Sequence, residues 1–143
     1  KPVMDEKIIW YVYYKNEPIG IWLNLPDVNQ WFKYLHGKFG LLQKLKFLWV
    51  KATKRNSKFS GLVFGIVPEF QGKGVDAYMI MEGAKVIQNG PIYDDYEMQW
   101  IGEFNPKMIN VVESLGTHRT RRLITYRYLF DRTKEFKQHP VLV

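Results

Sequence analysis

The sequence predicts an α/β protein built on a mixed sheet, and two patterns lead to that prediction. Stretches rich in β-branched and aromatic residues alternate with stretches in which apolar residues recur at helical spacing. The predicted order is two strands, two helices, then strand, helix, strand, helix and strand, which is typical of an α/β layer. With 143 residues, the chain is long enough to form one domain with a sizeable core.

The composition excludes several classes of protein. Hydrophobic residues make up 46% of the chain, which argues against disorder, and the apolar runs are too short to cross a bilayer, so we expect no membrane partner. The absence of cysteine excludes disulfides, thiol nucleophiles and thiolate metal sites. We expect no metal site, because His36, His118 and His139 lie far apart in the sequence. A chain without cysteine is compatible with the cytoplasm, which is the location we expect.

The net charge of +7 indicates an anionic partner such as a phosphorylated cofactor, a nucleic acid or a membrane surface. Basic residues cluster at 51–58 and at 119–122, and a solvated surface explains both clusters equally well. We do not expect a nucleic-acid partner, because no basic face is interleaved with aromatic residues that would stack on bases.

The first half of the chain predicts a β-hairpin followed by two helices. Residues 8–14 and 19–25 have the composition of strands, and the turn residues 15–18 separate them. A short helical turn follows near Trp31 and ends at Gly37. The next helix has an apolar stripe that we expect to face the core, formed by Leu41, Leu42, Leu45, Leu48 and Trp49.

The second half predicts a central strand at 59–67, a helix at 75–89 and a strand at 96–104. The pair Gly90-Pro91 is typical of a helix end, so we expect the helix at 75–89 to end there.

A last helix and a last strand complete the predicted order. Asn105 followed by Pro106 is a strong helix start, because the asparagine side chain can cap the first turn and proline suits its first position. We expect this helix to end at Gly116 and a final strand to occupy residues 122–130. Three tryptophans are expected either to pack in the core or to line an acceptor pocket: Trp22, Trp31 and Trp100.

The junction between the central strand and the next helix is a candidate phosphate-binding site. Pro68 ends the strand, and the first N–H groups of the following helix lie unpaired at the positive end of its dipole. Gly72 and Gly74 let a ligand approach the backbone because they carry no Cβ, and Lys73 adds a positive charge.

The dinucleotide-binding fingerprint is one interpretation of these glycines. Gly72-x-Gly74-x-x-Ala77 matches its spacing, and Asp95 lies at a suitable distance for a ribose contact. The context argues against this interpretation, because residues 68–71 separate the strand from the first glycine and the chain opens with a hairpin.

The segment from Val67 to Gly74 resembles the acetyl-CoA motif of the GNAT acetyltransferase superfamily, whose pattern is Gln/Arg-x-x-Gly-x-Gly/Ala after a central strand. Residues 97–105 and the helix that ends at 113–116 resemble the family's next strand, its asparagine and its following helix. The resemblance covers about residues 8–130. It implies a GNAT-like α/β fold with a mixed, mostly antiparallel sheet flanked by helices, lacking the family's usual first strand and helices.

The resemblance also implies a domain organisation. Residues 1–134 would form a GNAT-like acyltransferase domain that is incomplete at its N-terminus, and residues 135–143 would form a C-terminal tail. Because the chain begins with Lys1, we expect it to be the C-terminal portion of a larger protein, whose upstream domain would be a partner.

A co-substrate and a reaction follow from the same resemblance. Acetyl-CoA or another acyl-CoA would bind with its pyrophosphate on the N–H groups of 71–76 and its pantetheine arm between the central strand and the next strand. Its acyl carbonyl would lie near Val67, where a backbone N–H would polarise it. An amine of a small molecule or peptide would attack directly. The residues implied in binding are Ile66, Val67, Gln71, Gly72, Lys73, Gly74, Val75, Asp76 and Asn105.

Two positions depart from the family pattern. Asp76 stands where the family has glycine or alanine, and its carboxylate would repel a bound pyrophosphate unless it points away. Val112 stands where many members have a tyrosine general acid. That role is then either empty or filled by another residue such as Tyr126 or Tyr128.

The preferred general base is Glu103, because it lies at the end of a predicted strand beside the expected thioester position. Glu97 and Glu69 are weaker candidates for the same role, and a solvated carboxylate is the alternative interpretation of all three. Asn105 is first a helix cap, and contact with the cofactor arm would be additional.

The sequence therefore leads to one function and two alternatives. The leading hypothesis is an acyl-CoA-dependent N-acyltransferase, specifically an N-acetyltransferase. The first alternative is a non-catalytic binding module of the same fold. The second is an aminoacyl-tRNA-dependent transferase of that fold, which would suit the positive charge. The acceptor, the acyl group and the oligomeric state are not predicted.

Overall fold

The computed structural model describes residues 3–90 and 92–142. The chain divides into two compact units, Lys1–Gln99 and Trp100–Val143. The first unit contains the sheet and the glycine-containing turn, and the second is built around one helix.

The first unit is organised on a four-stranded sheet. Its strands follow in the order β1, Ile9–Tyr14; β2, Glu17–Pro26; β3, Lys58–Ile66; and β4, Asp95–Met98. The first two pairings are antiparallel, and the β3–β4 pairing is parallel. The mixed, mostly antiparallel sheet expected from the sequence is therefore confirmed.

The β1–β2 hairpin closes more tightly than the sequence predicted. Its turn consists of Lys15 and Asn16, which both have positive φ angles, 48° and 67°. Two consecutive residues in this region form the hairpin turn whose twist matches that of the strands. The expected turn at 15–18 is therefore shorter, and β2 already begins at Glu17.

The helices of the first unit follow one another along the chain in the predicted order. They are α1, Asn29–Phe32, which continues as the 3₁₀ turn Lys33–Leu35; α2, Leu41–Thr53; and α3, Val75–Gln88. Two further 3₁₀ turns occupy Glu6–Ile8 and Pro68–Phe70. The predicted helix at 75–89 is confirmed; Pro91, expected to help end it, lies outside the described residues.

The core forms where α3 packs on the sheet. Gly83 of α3 lies directly over Trp22, because a Cβ added at this glycine would come within 2.6 Å of the indole. Trp22 in turn packs against Trp10, with ring centroids 4.7 Å apart, and is buried. Of the two alternatives left open for the tryptophans, Trp22 and Trp31 fit packing in the core, since both are buried.

The apolar stripe of α2 was expected to face the core, and this expectation is wrong. The helix packs on α1 through Phe47, which lies edge-on to the Trp31 ring at 6.2 Å, and its Val50 is buried. Its stripe of leucines and Trp49 points to solvent. Helical spacing correctly identified a helix with an apolar face but did not say which face packs on the fold.

The second unit contains α4, Pro106–Ser114. The predicted cap is confirmed: the Asn105 side chain accepts a hydrogen bond from the Met108 N–H at 3.1 Å. The predicted strand at 122–130 is wrong, because these residues form no regular element in the structure. A segment with alternating side chains becomes a strand only if its backbone hydrogen-bonds to a neighbouring strand. Among the described residues, the sheet contains only β1 to β4.

The predicted strand at 96–104 is also too long, because β4 ends at Met98. Trp100 is 63% exposed, so it is not a core residue of the described structure.

Candidate functional site

β4 pairs with only the first part of β3, because β4 ends at Met98. They form four pairs, from Lys58 with Asp95 to Gly61 with Met98, and Gln99 then donates its N–H to the Gly61 carbonyl. β3 continues to Ile66, and within residues 3–90 and 92–142 no strand pairs with its last part on the edge facing away from β2. The gap between two splayed strands that the resemblance implied stays a prediction, because β4 itself ends at Met98.

A bulge in β3 lies next to the point where its pairing with β4 ends. Gly61 pairs with Asn24 and Val63 pairs with Leu23, so Leu62 is the extra residue. A bulge increases the local twist of a strand and can end pairing on one side. The bulge at Leu62 thus directly follows Gly61, the last residue of β3 that pairs with β4.

The open edge of β3 presents the backbone of Ile66. The Val67 N–H donates to the Ile19 carbonyl of β2 at 2.9 Å, so the N–H expected to polarise an acyl carbonyl is engaged inside the sheet. Because successive N–H groups of a strand point to opposite edges, the Ile66 N–H points to the open edge. The Gln71 side chain reaches the same residue and donates to the Ile66 carbonyl at 2.9 Å.

The turn after β3 leaves its glycines open. Gly72 and Gly74 have φ angles of +69° and +78°, a left-handed conformation that strains other residues. A Cβ added at either position would meet nothing within 4 Å, so open space faces both. The sequence prediction that a ligand has room to approach this backbone fits that geometry.

The start of α3 completes the turn. The helix begins at Val75, and its N-cap residue Gly74 has no side chain to accept from the first-turn N–H groups. Asp76 lies in the first turn and is half-buried. The Lys73 ammonium lies 5.3 Å from the centroid of the Phe70 ring, at the edge of the same turn.

An apolar groove of about 420 Å³ lies beside the end of β3. It is lined by residues of three strands and the residue after β3, namely Tyr11, Pro18, Ile19, Gly20, Ile21, Gly65, Ile66 and Val67. Gly65 contributes no side chain to this groove, and a Cβ there would meet nothing within 4 Å. The groove thus adjoins the position expected for an acyl group.

The candidate bases differ in their surroundings. Glu103 belongs to the second unit, lies in a turn instead of at a strand end, and is 80% exposed beside Arg122 at 3.2 Å. Glu97 of β4 forms a 2.6 Å ion pair with Lys58, and this contact raises the pKa of that lysine. Glu69 is exposed in the 3₁₀ turn after β3. The role of Glu103 as a base stays a prediction.

The tyrosines proposed as substitutes for a family general acid lie on the surface. Tyr126 is largely exposed, and the Tyr128 hydroxyl accepts a 2.7 Å hydrogen bond from Arg132. Both belong to the second unit.

Sequence reasoning missed Tyr96, a β4 residue that pairs with Phe59 of β3. Its hydroxyl accepts a 3.1 Å hydrogen bond from the Trp22 indole N–H, and burial raises its pKa. A Cβ at Gly61 would overlap this hydroxyl. The signal in the sequence was that glycine, because a glycine inside a strand often marks the close approach of another group.

The described residues were also compared with what a metal site and a membrane-spanning helix require. Among residues 3–90 and 92–142, histidine, aspartate and glutamate nowhere gather into a group of three that would hold a metal ion. Within the same ranges, no helix is long and apolar enough to cross a membrane.

The comparison with solved structures identifies the fold. The structure of AAC(6')-Iy in complex with the bisubstrate analog CoA-S-monomethyl-acetylneamine is similar to this chain with a TM-score of 0.52 and 16% identity. The match covers 85% of this chain and 68% of that one. AAC(6')-Iy is a GNAT acetyltransferase, and the chain has a GNAT-like fold.

The comparison by sequence gives a distant relative. A bacterial ceramide synthase of Caulobacter vibrioides (strain NA1000 / CB15N) is 28% identical over 123 residues. The match covers 82% of this chain but 32% of that protein, so the chain spans about a third of the relative's length. No protein-family model matches the chain.

Proposed function

We propose that this chain is an acyl-CoA-dependent N-acyltransferase domain that transfers an acyl group directly from CoA to an amine. The observation that carries the proposal is the open edge of β3 leading into an open glycine turn. The likeness to a structure holding a CoA bisubstrate analog supports the same type of donor.

The backbone of the turn would hold the CoA pyrophosphate. The N–H groups of 72–76 lie at the start of α3, where the helix dipole favours an anion. The open space at Gly72 and Gly74 gives the anion access to that backbone. The Lys73 ammonium would add a charge-assisted contact. Gln71, Val75 and Asp76 complete the binding turn in this proposal.

The pantetheine arm would lie along the free edge of β3. Extended chains pair with exposed strand edges through backbone hydrogen bonds, and Ile66 offers an N–H there. We assign the polarisation of the acyl carbonyl to the Ile66 N–H, since the Val67 N–H is engaged with Ile19. Asn105 keeps its proposed contact with the arm in addition to its role as a cap.

The reaction would need one base and no covalent enzyme intermediate. The amine nitrogen forms a bond to the acyl carbon, the bond from that carbon to the CoA sulfur breaks, and the amine loses a proton to the base. CoA leaves as the thiol after protonation of its sulfur. Glu103 remains the proposed base, and the proton that it accepts from the amine can return to the leaving sulfur.

The groove beside Val67 would receive an apolar acyl chain. Its lining is mainly apolar, and it is an open depression along which an extended acyl chain could lie. The name of the distant relative points in the same direction, because a ceramide is the amide of a fatty acid with a long-chain amino alcohol. We therefore propose a long-chain acyl-CoA as donor and a lipid amine as acceptor.

Gly65 provides the test of donor choice. Leucine at this position meets no backbone strain or clash at its Cβ, and its side chain would enter the groove. In Gly65→Leu, transfer from a long-chain acyl-CoA should fall at least tenfold while transfer from acetyl-CoA stays within a few-fold. Gly65→Ala is the matched control and should retain both activities. Equal transfer from both donors in the leucine variant would contradict the assignment of the groove.

A non-catalytic binding module of the same fold is the second candidate. The observation that favours it is the half-buried carboxylate of Asp76 in the first turn of α3, where a pyrophosphate would meet a like charge. If this carboxylate excludes CoA, the native chain should bind no CoA and Asp76→Gly should bind it. Tight CoA binding together with acyl transfer by the native chain would eliminate this candidate.

A further inference from the structure

We propose that α2 binds the surface of an anionic lipid bilayer through an exposed apolar face. This face consists of Leu41, Leu42, Leu45, Leu48 and Trp49, which are between 58% and 81% exposed. It is contiguous, because residues separated by three and four positions share one side of a helix. The inference does not depend on the acyltransferase proposal.

The apolar face points away from the fold. The opposite side of α2 holds the helix in place through Phe47, whose ring packs against Trp31 and Phe32, and through Val50, which is buried. The Trp31 indole N–H also donates to the Lys54 carbonyl at the end of the helix. α2 is thus anchored on one side and presents leucine and tryptophan on the other.

The positive charge of residues 28–58, which include α2, favours an anionic surface. Residues 28–58 contain eight lysines and arginines and no aspartate or glutamate. Arg55 and Lys58 form ion pairs with Asp94 and Glu97, and the other six still leave the segment positively charged. The rest of the chain has thirteen basic and fourteen acidic residues, so the net charge of +7 originates in this segment. Lys44 and Lys46 flank the apolar face on its two sides, and both are exposed.

A bilayer surface satisfies both features at once. Leucine and tryptophan enter the boundary between headgroups and acyl chains, while flanking lysines extend their charged ends to anionic headgroups. A nucleic acid would pair with the lysines but would leave the leucines without an apolar partner. A second copy packed on the same face would bring the lysine-rich segments of both chains together. Lying on a bilayer in this way requires no membrane-spanning helix.

Vesicle binding provides the test. Phosphatidylcholine vesicles that contain phosphatidylserine should sediment the full chain, and binding should weaken with added salt. Vesicles of phosphatidylcholine alone should bind it much less. The Trp49 fluorescence should shift to shorter wavelength on binding, and this shift should persist in Trp100→Phe but disappear in Trp49→Phe.

Matched variants show whether vesicle binding depends on this face or on exposed leucine and positive charge anywhere on the protein. Leu45 and Leu123 are 66% and 67% exposed, so Leu45→Gln and Leu123→Gln remove equally exposed leucines. The first should weaken vesicle binding roughly tenfold, and the second should not change it. Lys44→Gln should weaken binding by about fivefold, whereas Lys107→Gln on α4 should have no comparable effect.

Three results would overturn the proposal. The first is the absence of binding to anionic vesicles. The second is an equal effect of the Leu45 and Leu123 substitutions. The third is a native chain that elutes as a dimer in size exclusion and becomes a monomer in Leu45→Gln, because a second copy would then cover the face.

Discussion

Replacing Gly74 with alanine should weaken CoA binding much more than it weakens the fold. A residue with a Cβ costs roughly 1–2 kcal/mol in the left-handed conformation that Gly74 adopts at φ +78°. No steric clash adds to this, because a Cβ there meets nothing within 4 Å. The free energy of unfolding should therefore fall by about 1 kcal/mol.

The effect on CoA follows from the hydrogen bonds of the turn. Relief of strain at Gly74 rotates the neighbouring N–H groups away from a bound pyrophosphate. A hydrogen bond to a charged group contributes about 1.5–3 kcal/mol, so losing one should weaken binding roughly tenfold to hundredfold. Calorimetric titration with CoA measures this loss, and urea unfolding measures the cost to the fold.

Gly37 is the matched control for this experiment. Its φ is +72°, and a Cβ there also meets nothing within 4 Å, so Gly37→Ala should lose the same stability. It lies between α1 and α2 and should leave CoA binding unchanged. If both variants bind CoA equally well, or lose it equally, the turn is not the binding site and the reasoning fails.

Three further predictions concern the fold around the site. Gly83→Val should lower the free energy of unfolding by about 1–3 kcal/mol, seen as a lower melting temperature, because its side chain would enter the Trp22 ring. Asn105→Ala should cost about 1 kcal/mol through loss of the Met108 bond, and Asn105→Asp should restore most of it; no loss in urea unfolding would refute the cap. Burial raises the pKa of Tyr96 above its ordinary 10.0, so the folded state keeps its proton longer than the unfolded state. Stability should therefore fall as the pH rises past 10 and fall less in Tyr96→Phe, and equal slopes in urea unfolding would contradict this.

Much of the fold could be predicted because local signals agreed with it. The strand composition of residues 8–14 and 19–25, the glycine turn before α3 and the Asn105 cap each use one local rule, and each has its counterpart in the structure. The strand at 122–130 could not be excluded from its alternation, because pairing depends on a neighbour distant in sequence. The same limit applies to the length of β4.

The site was harder to predict than the fold. The sequence indicated the turn at 71–76, but the hydrogen bond between Val67 and Ile19 depends on the register of β2 and β3. The position of Tyr96 over Gly61 also follows from long-range pairing, because only the parallel ladder of β3 and β4 brings the two residues together. The exposed face of α2 depends on which side of the helix meets α1, and helical spacing leaves that choice open.

The most direct test of the central claim follows the backbone N–H groups of the isotope-labelled chain by NMR during addition of CoA. The account predicts saturable shifts that are largest at 72–76 and at Ile66, with little change at Gly37. Absence of shifts at millimolar CoA, or shifts confined to residues outside the turn and the open edge of β3, would contradict it.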